Sequence, residues 1–166
     1  MKIKVIKATK KHQVIITNLM QFYYYDFSEY LDFEVEKNGL FQPYPDLETY
    51  WEDKLKFPYI IKIDNQYVGF ALVRNVKDTS VTSYFSITEF FILKKYRQQG
   101  IGSYIAFQIF DLHKGNWQIC QIEKNKVAQL FWHSVISSYT NGQFSERLEY
   151  GKLVQNFENH HKLKII

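Results

Sequence analysis

Residues 93–103, LKKYRQQGIGS, constrain the fold of this chain more than any other stretch. They follow a hydrophobic run, ITEFFI, with the composition of a buried strand. They precede IGSYIAFQIFDLH, whose Ile101, Ile105, Ile109 and Leu112 recur at helical spacing. A strand, a basic turn holding Gly100 and Gly102, and a helix in immediate succession place a helix N-terminus behind a glycine bend. The first N–H groups of such a helix have no intrahelical acceptor, and glycine removes the side chains that would keep an anion away. The turn therefore suits a phosphate, with Arg97 at its lip and Gln98 and Gln99 adding further N–H groups. The dinucleotide fingerprint does not fit, because its third small residue would fall on Ile105 and Ala106 comes one position late. A P-loop does not fit either, since no Gly-Lys-Ser/Thr follows. The alternative is a helix start that contains two glycines for no chemical reason.

Periodicity orders the rest of the chain. Residues 2–7 alternate as a half-exposed strand does, and Thr9 offers an N-cap for a helix with Val14, Ile15, Leu19, Phe22 and Tyr23 on its apolar side. Gly39, Pro43 and Pro45 break the segment that follows, and Asp46 is placed to cap a short helix, LETYWEDKL. PYIIKI and YVGFALVRNV flank the turn-forming pair Asp64-Asn65 and predict a β-hairpin. After the glycine turn and its helix, Gly115-Asn116 marks a stop and WQICQIE reads as a strand. Asn125 opens a helix with Ala128, Phe131, Trp132, Val135 and Ile136 inward. Asn141-Gly142 is a turn before two closing strands, SERLEY and KLVQNFE.

At 166 residues the chain predicts one domain, 1–166, with enough apolar residues (46%) for a single core. A lone cysteine, Cys120, excludes an internal disulfide and reads as a small buried residue mid-strand. With no leader or long apolar run, the expected location is cytoplasmic, with no membrane partner. The net charge of +4 is spread along the chain, and no nucleic-acid module accompanies it, so no nucleic-acid partner is expected. His160 and His161 lack companion ligands, and no metal is predicted. The aromatic content of 18% is compatible with a homodimer.

The RQQGIG of residues 97–102, set between strand and helix, resembles the Arg/Gln-x-x-Gly-x-Gly/Ala signature of the GNAT family of N-acetyltransferases. The next strand, WQICQIE, and the helix NKVAQLFWHSVISSYT are similar to that family's following strand and Asn-x-x-Ala helix. The resemblance implies an α/β (α+β) acyl-CoA N-acyltransferase fold, a mixed, mostly antiparallel twisted sheet flanked by helices and splayed where the cofactor enters. It implies acetyl-CoA as cosubstrate, the pantetheine arm paired with Phe91, Ile92 and Leu93, and the pyrophosphate on Gln98, Gln99, Gly100, Ile101, Gly102 and Ser103. Asn125, otherwise an N-cap, would touch the cofactor. Glu89, on the cofactor strand among apolar residues, would be the general base, working directly or through a water. Its plain alternative is a strand carboxylate facing solvent or a lysine. A backbone N–H near Phe91 or Ile92 would receive the oxyanion.

The chain departs from that pattern at Trp132, where relatives carry a tyrosine acid. Indole donates a hydrogen bond but transfers no proton, so either no side-chain acid is used or His133 or Tyr139 substitutes. Trp132 also reads as helix core. The acceptor would be an amine-bearing compound or protein, and the acidic, aromatic FYYYDFSEYLDFEVE suits a cationic one through Asp26, Glu29, Asp32, Glu34 and Glu36. The rival readings are a noncatalytic acyl-CoA-binding sensor of the same fold and an RNA-binding protein.

Overall fold

The computed structural model describes residues 1–77 and 82–159; His160 and His161 lie outside the described residues. Its strands are β1 (Ile3–Lys7), β2 (Lys56–Ile63), β3 (Gln66–Lys77), β4 (Ser83–Ile92), β5 (Asn116–Ile122), β6 (Ser145–Glu149) and β7 (Lys152–Glu158), and its α-helices are α1 (Gln13–Phe27), α2 (Ile101–Leu112) and α3 (Lys126–Thr140). The sheet order is β1-β2-β3-β4-β5-β7-β6, with β1/β2, β5/β7 and β6/β7 antiparallel and β4/β5 parallel. This is the mixed, mostly antiparallel α/β architecture expected from the sequence. The chain groups into two compact units, Met1–Val73 with Glu89–Arg97 and Arg74–Thr88 with Gln98–Ile166.

In the first unit the predicted hairpin forms around Asp64 and Asn65, both at positive φ (45° and 69°), the backbone that a two-residue turn between right-twisted strands requires. The Asp64 carboxylate also accepts from the Lys2 N–H at 2.7 Å, tying the turn to the edge strand β1. Ile16, Leu19, Met20, Leu47, Tyr50, Ile60, Phe70, Leu72 and Phe91 make the core. Two expectations shift here. Thr9 caps a short 3-10 turn, Lys10–His12, rather than α1 directly, with a reciprocal capping box to His12. The α-helix thus starts later and its buried face is rotated: Ile16, Leu19 and Met20 are buried, with Ile15 and Tyr23 packed against the core as read, while Val14 and Phe22, also read as core, are 62% and 56% exposed. The short helix near Asp46 is a 3-10 turn, Leu47–Trp51, and the Asp46 side chain does not cap it.

In the second unit, α2 and α3 bring Phe110, Trp132, Val135 and Ile136 into a core with Trp117, Ile119 and Phe157 from β5 and β7. Strand alternation puts Trp117, Ile119 and Gln121 on the buried side of β5, so Cys120 lies on the opposite side and is exposed, correcting the buried reading. Leu112, expected inward, is exposed because Ile109 and Phe110 are the residues of the last turn that face the core. Asn159 closes the end of α2. Its side-chain amide donates to the carbonyls of Phe110 (2.6 Å) and His113 (3.1 Å), and its oxygen accepts from the Gly115 N–H (2.8 Å).

Candidate active site

Glu89 stands near the end of β4, half-buried, and its two carboxylate oxygens each accept a phenol. The Tyr23 hydroxyl of α1 donates to Oε2, and the Tyr44 hydroxyl donates to Oε1 at 2.9 Å. Burial first, and the Glu89 charge second, push both phenols well above the usual tyrosine range, so both stay protonated and remain donors. The ring of Tyr23 is packed against Phe27, Phe70 and Phe91 at centroid distances of 4.6, 6.0 and 6.2 Å. Sequence reasoning singled out Glu89 but neither partner. The signal for Tyr44 was its place between Pro43 and Pro45, which fix the local backbone.

Past Glu89, β4 comes close to the backbone of β3. The Phe91 carbonyl oxygen lies where a side chain on Gly69 of β3 would be, only 2.1 Å from an ideal Cβ position. A glycine inside a strand pattern marks such a close approach, and YVGFALV carried that mark unread. The Leu93 N–H donates to the Val68 carbonyl at 2.9 Å, and the Ile92 carbonyl accepts from Arg97 Nε at 2.6 Å. Of the three residues expected to meet a pantetheine arm, Leu93 therefore has its donor engaged and Ile92 its acceptor.

Arg97 is turned toward α1. Its guanidinium meets the Asp26 carboxylate at 2.5 Å, and Lys94 reaches the other oxygen of Asp26 at 3.2 Å. Asp26, one of the acids proposed to bind a cationic acceptor, thus already faces two cations. Glu29, Asp32, Glu34 and Glu36 are exposed.

In the second unit the glycine turn has the conformation its composition implies. Gln98 and Gly100 adopt left-handed backbone (φ 59° and 75°), and Gly100 is the N-cap of α2. Space is open where a Gly100 side chain would project, with no atom within 4 Å. Gln98, Gln99 and Gly100 are exposed, Gly102 and Ser103 partly so, and Ile101 is buried and anchors the helix start. The N–H groups of this first turn point along the helix axis without intrahelical acceptors.

Asn125 is a buried N-cap, its Oδ1 accepting from the Ala128 N–H at 2.9 Å. Trp132 is 6% exposed and sits against Phe110 and Phe131. Of the substitute acids, the exposed His133 pairs with Glu146 at 2.7 Å. Tyr139 donates to Asp111 at 2.7 Å, and burial, more than that carboxylate, drives its phenol far above the ordinary range.

None of the curated proteins matches the chain. Among solved structures, an acetyltransferase from Thermus thermophilus is similar over 94% of this chain and 96% of its own, at 14% identity and TM-score 0.64. The PaiA N-acetyltransferase from Thermoplasma acidophilum, solved with coenzyme A, is similar over 95% and 99%, at 11% identity and TM-score 0.65. An aminoglycoside acetyltransferase from an uncultured soil metagenomic sample, solved with sisomicin, is similar over 89% and 93%, at 13% identity and TM-score 0.63. These likenesses establish the fold. The family model described as Acetyltransferase (GNAT) family matches residues 17–135, the span holding β4, the glycine turn and most of α3, and the chain belongs to that family.

Proposed function

We propose that this protein transfers the acetyl group of acetyl-CoA to a primary amine, with Glu89 as general base. The observation that carries the reading is the N-terminus of α2: an exposed, left-handed Gly100 opens onto empty space past the 3-10 turn, Lys94–Tyr96, that follows β4. An anion placed there meets the positive end of the helix dipole and several N–H donors. Gln98 to Ser103 would hold the pyrophosphate, and the β4 residues Phe91 and Ile92 would meet the pantetheine amides. A backbone N–H near Phe91 or Ile92 would receive the oxyanion; that of Leu93 is taken by Val68.

In this reading the amine nitrogen bonds to the thioester carbonyl carbon, the C–S bond breaks, and coenzyme A leaves as thiolate. The proton lost by the amine passes to Glu89 directly or through a water. No side-chain acid is assigned. Trp132 is packed as core, His133 and Tyr139 are committed to carboxylates, and a thiolate leaves readily enough to take its proton from solvent. A cationic amine, small or protein-borne, fits the Glu89 carboxylate and the aromatic rings around it; the sisomicin-bound relative is a precedent for a polyamine acceptor.

The test is calorimetry with coenzyme A, followed by thiol release over a panel of amines. Tight binding and amine-dependent turnover are expected, with Gly100→Asp abolishing binding. No heat from the cofactor would overturn the reading. Cofactor binding with no turnover on any amine would instead favour the sensor, which the burial of Trp132 at the usual tyrosine position also fits.

A further inference from the structure

The carboxylate of Glu89 is fixed from two directions by elements of unlike character. Tyr23 belongs to a helix and is held by its ring contacts. Tyr44 belongs to the long connection between α1 and the 3-10 turn at Leu47, a segment with no regular structure of its own. Two features nevertheless make its placement definite. Pro43 and Pro45 flank it, and the residue before a proline is confined to extended backbone. Just upstream the connection is clipped to α1: the Gln21 amide takes both backbone groups of Phe41, its Oε1 accepting from the Phe41 N–H at 2.8 Å and its Nε2 donating to the Phe41 carbonyl at 3.3 Å.

We propose that Tyr44 and Tyr23 are positioning residues for acyl transfer, the two phenols holding Glu89 ionised and aimed, with the Gln21–Phe41 clip presenting Tyr44. The inference rests on the reading of Glu89 as base. Hydrogen bonds donated to a carboxylate favour its ionised form, so losing either phenol raises the affinity of Glu89 for a proton and frees its χ angles. The ionisable groups around it include Tyr23 and Tyr24 on α1 and Tyr44 on the connection, all of which feel its charge. The phenols do not titrate in the working range, so a change in the acid limb of the rate reports Glu89.

Thiol release is measured against pH at saturating acetyl-CoA with two amines of different pKa; the limb that stays fixed between them is the enzyme's. In Tyr44→Phe and Tyr23→Phe the limb moves upward by about one pH unit, the effect of one charge-assisted hydrogen bond. The kcat falls by about tenfold as aim is lost, and the KM for acetyl-CoA stays within about twofold. Gln21→Ala, which removes the clip on Phe41, moves limb and kcat in the same direction by less, and decides the matter should Tyr44→Phe fail to fold. A Glu89→Gln enzyme with wild-type rate and limb would remove the base reading and this inference with it. Loss of rate and limb in Glu89→Gln, with both unchanged in the phenylalanine variants and Gln21→Ala, would leave the base standing and overturn the positioning role.

Discussion

Gly69→Ala tests whether the end of β4 depends on an absent side chain. An alanine Cβ would lie 2.1 Å from the Phe91 carbonyl oxygen and 3.1 Å from Ile92 Cα, both backbone atoms that no rotamer change can clear. A carbon and a carbonyl oxygen approach to about 3.3 Å at best, so β4 must retreat by roughly 1 Å. Overpacking of this kind costs about 1–3 kcal/mol, and backbone resistance puts it at the upper end. The retreat also strains the Leu93 N–H bond to Val68, worth about 1 kcal/mol. A total of about 3–4 kcal/mol lowers the folded-to-unfolded ratio several-hundredfold, a large share of a small protein's stability. The assay is urea unfolding with unchanged m-value, paired with the KM for acetyl-CoA on the folded fraction, which rises because the displaced residues are the proposed pantetheine contacts. Gly39→Ala serves as control: its φ is 78° but nothing lies within 4 Å, so it loses only the left-handed penalty of about 1 kcal/mol. Equal midpoints for the two variants, or a Gly69→Ala protein with native stability and KM, would refute the reasoning.

Asn159→Ala leaves the Phe110 and His113 carbonyls and the Gly115 N–H short of a partner at a buried helix end, and urea unfolding should record a loss of about 2–4 kcal/mol with cofactor affinity intact. Asp26→Asn removes the shared anion of Arg97 and Lys94; because both cations are well exposed, thermal unfolding should show a loss below about 1 kcal/mol. Tyr23, Tyr44 and Tyr139 hold their protons more tightly folded than unfolded, so stability is fully present below the unfolded pKa near 10 and falls as pH rises beyond it. Spectroscopic titration should accordingly show part of the tyrosinate signal appearing only together with alkaline unfolding.

The elements that the sequence made legible are those with their own punctuation. Asp64-Asn65, Gly100 and Asn141-Gly142 each require a left-handed backbone that few residues supply, Asn125 caps α3 with its side chain, and each bounds its element as expected. The facing of the elements was harder to read. α1 is aromatic and aliphatic nearly all round, so its periodicity fits two phases, and the intervening 3-10 turn selected the one that buries Ile16 and Met20 rather than Val14 and Phe22. Cys120 could have been assigned correctly, since Trp117 and Ile119 share the other parity of β5. At the site, Glu89 stood out as a charge in an apolar strand, whereas the phenols that grip it come from 66 and 45 residues away, and nothing beside Glu89 in the sequence points to them. The engagement of Arg97 by Asp26 is equally non-local, at a separation of 71 residues.

The order β5-β7-β6 has a consequence for how this polypeptide is made. β6 precedes β7 in sequence, yet among the described residues β6 pairs with β7 alone, and β7 must insert beside β5 across a span running from Asn116↔Glu158 to Ile122↔Lys152. A chain lacking residues 152–158 would therefore carry an orphan ribbon and an uncovered flank on β5, a form exposed to wrong pairing with other chains. β5 and β6 thus share a partner that follows both of them in sequence, and pairing Lys152–Glu158 with β5 closes a loop that contains α3 and β6, a non-local contact of the kind that forms slowly.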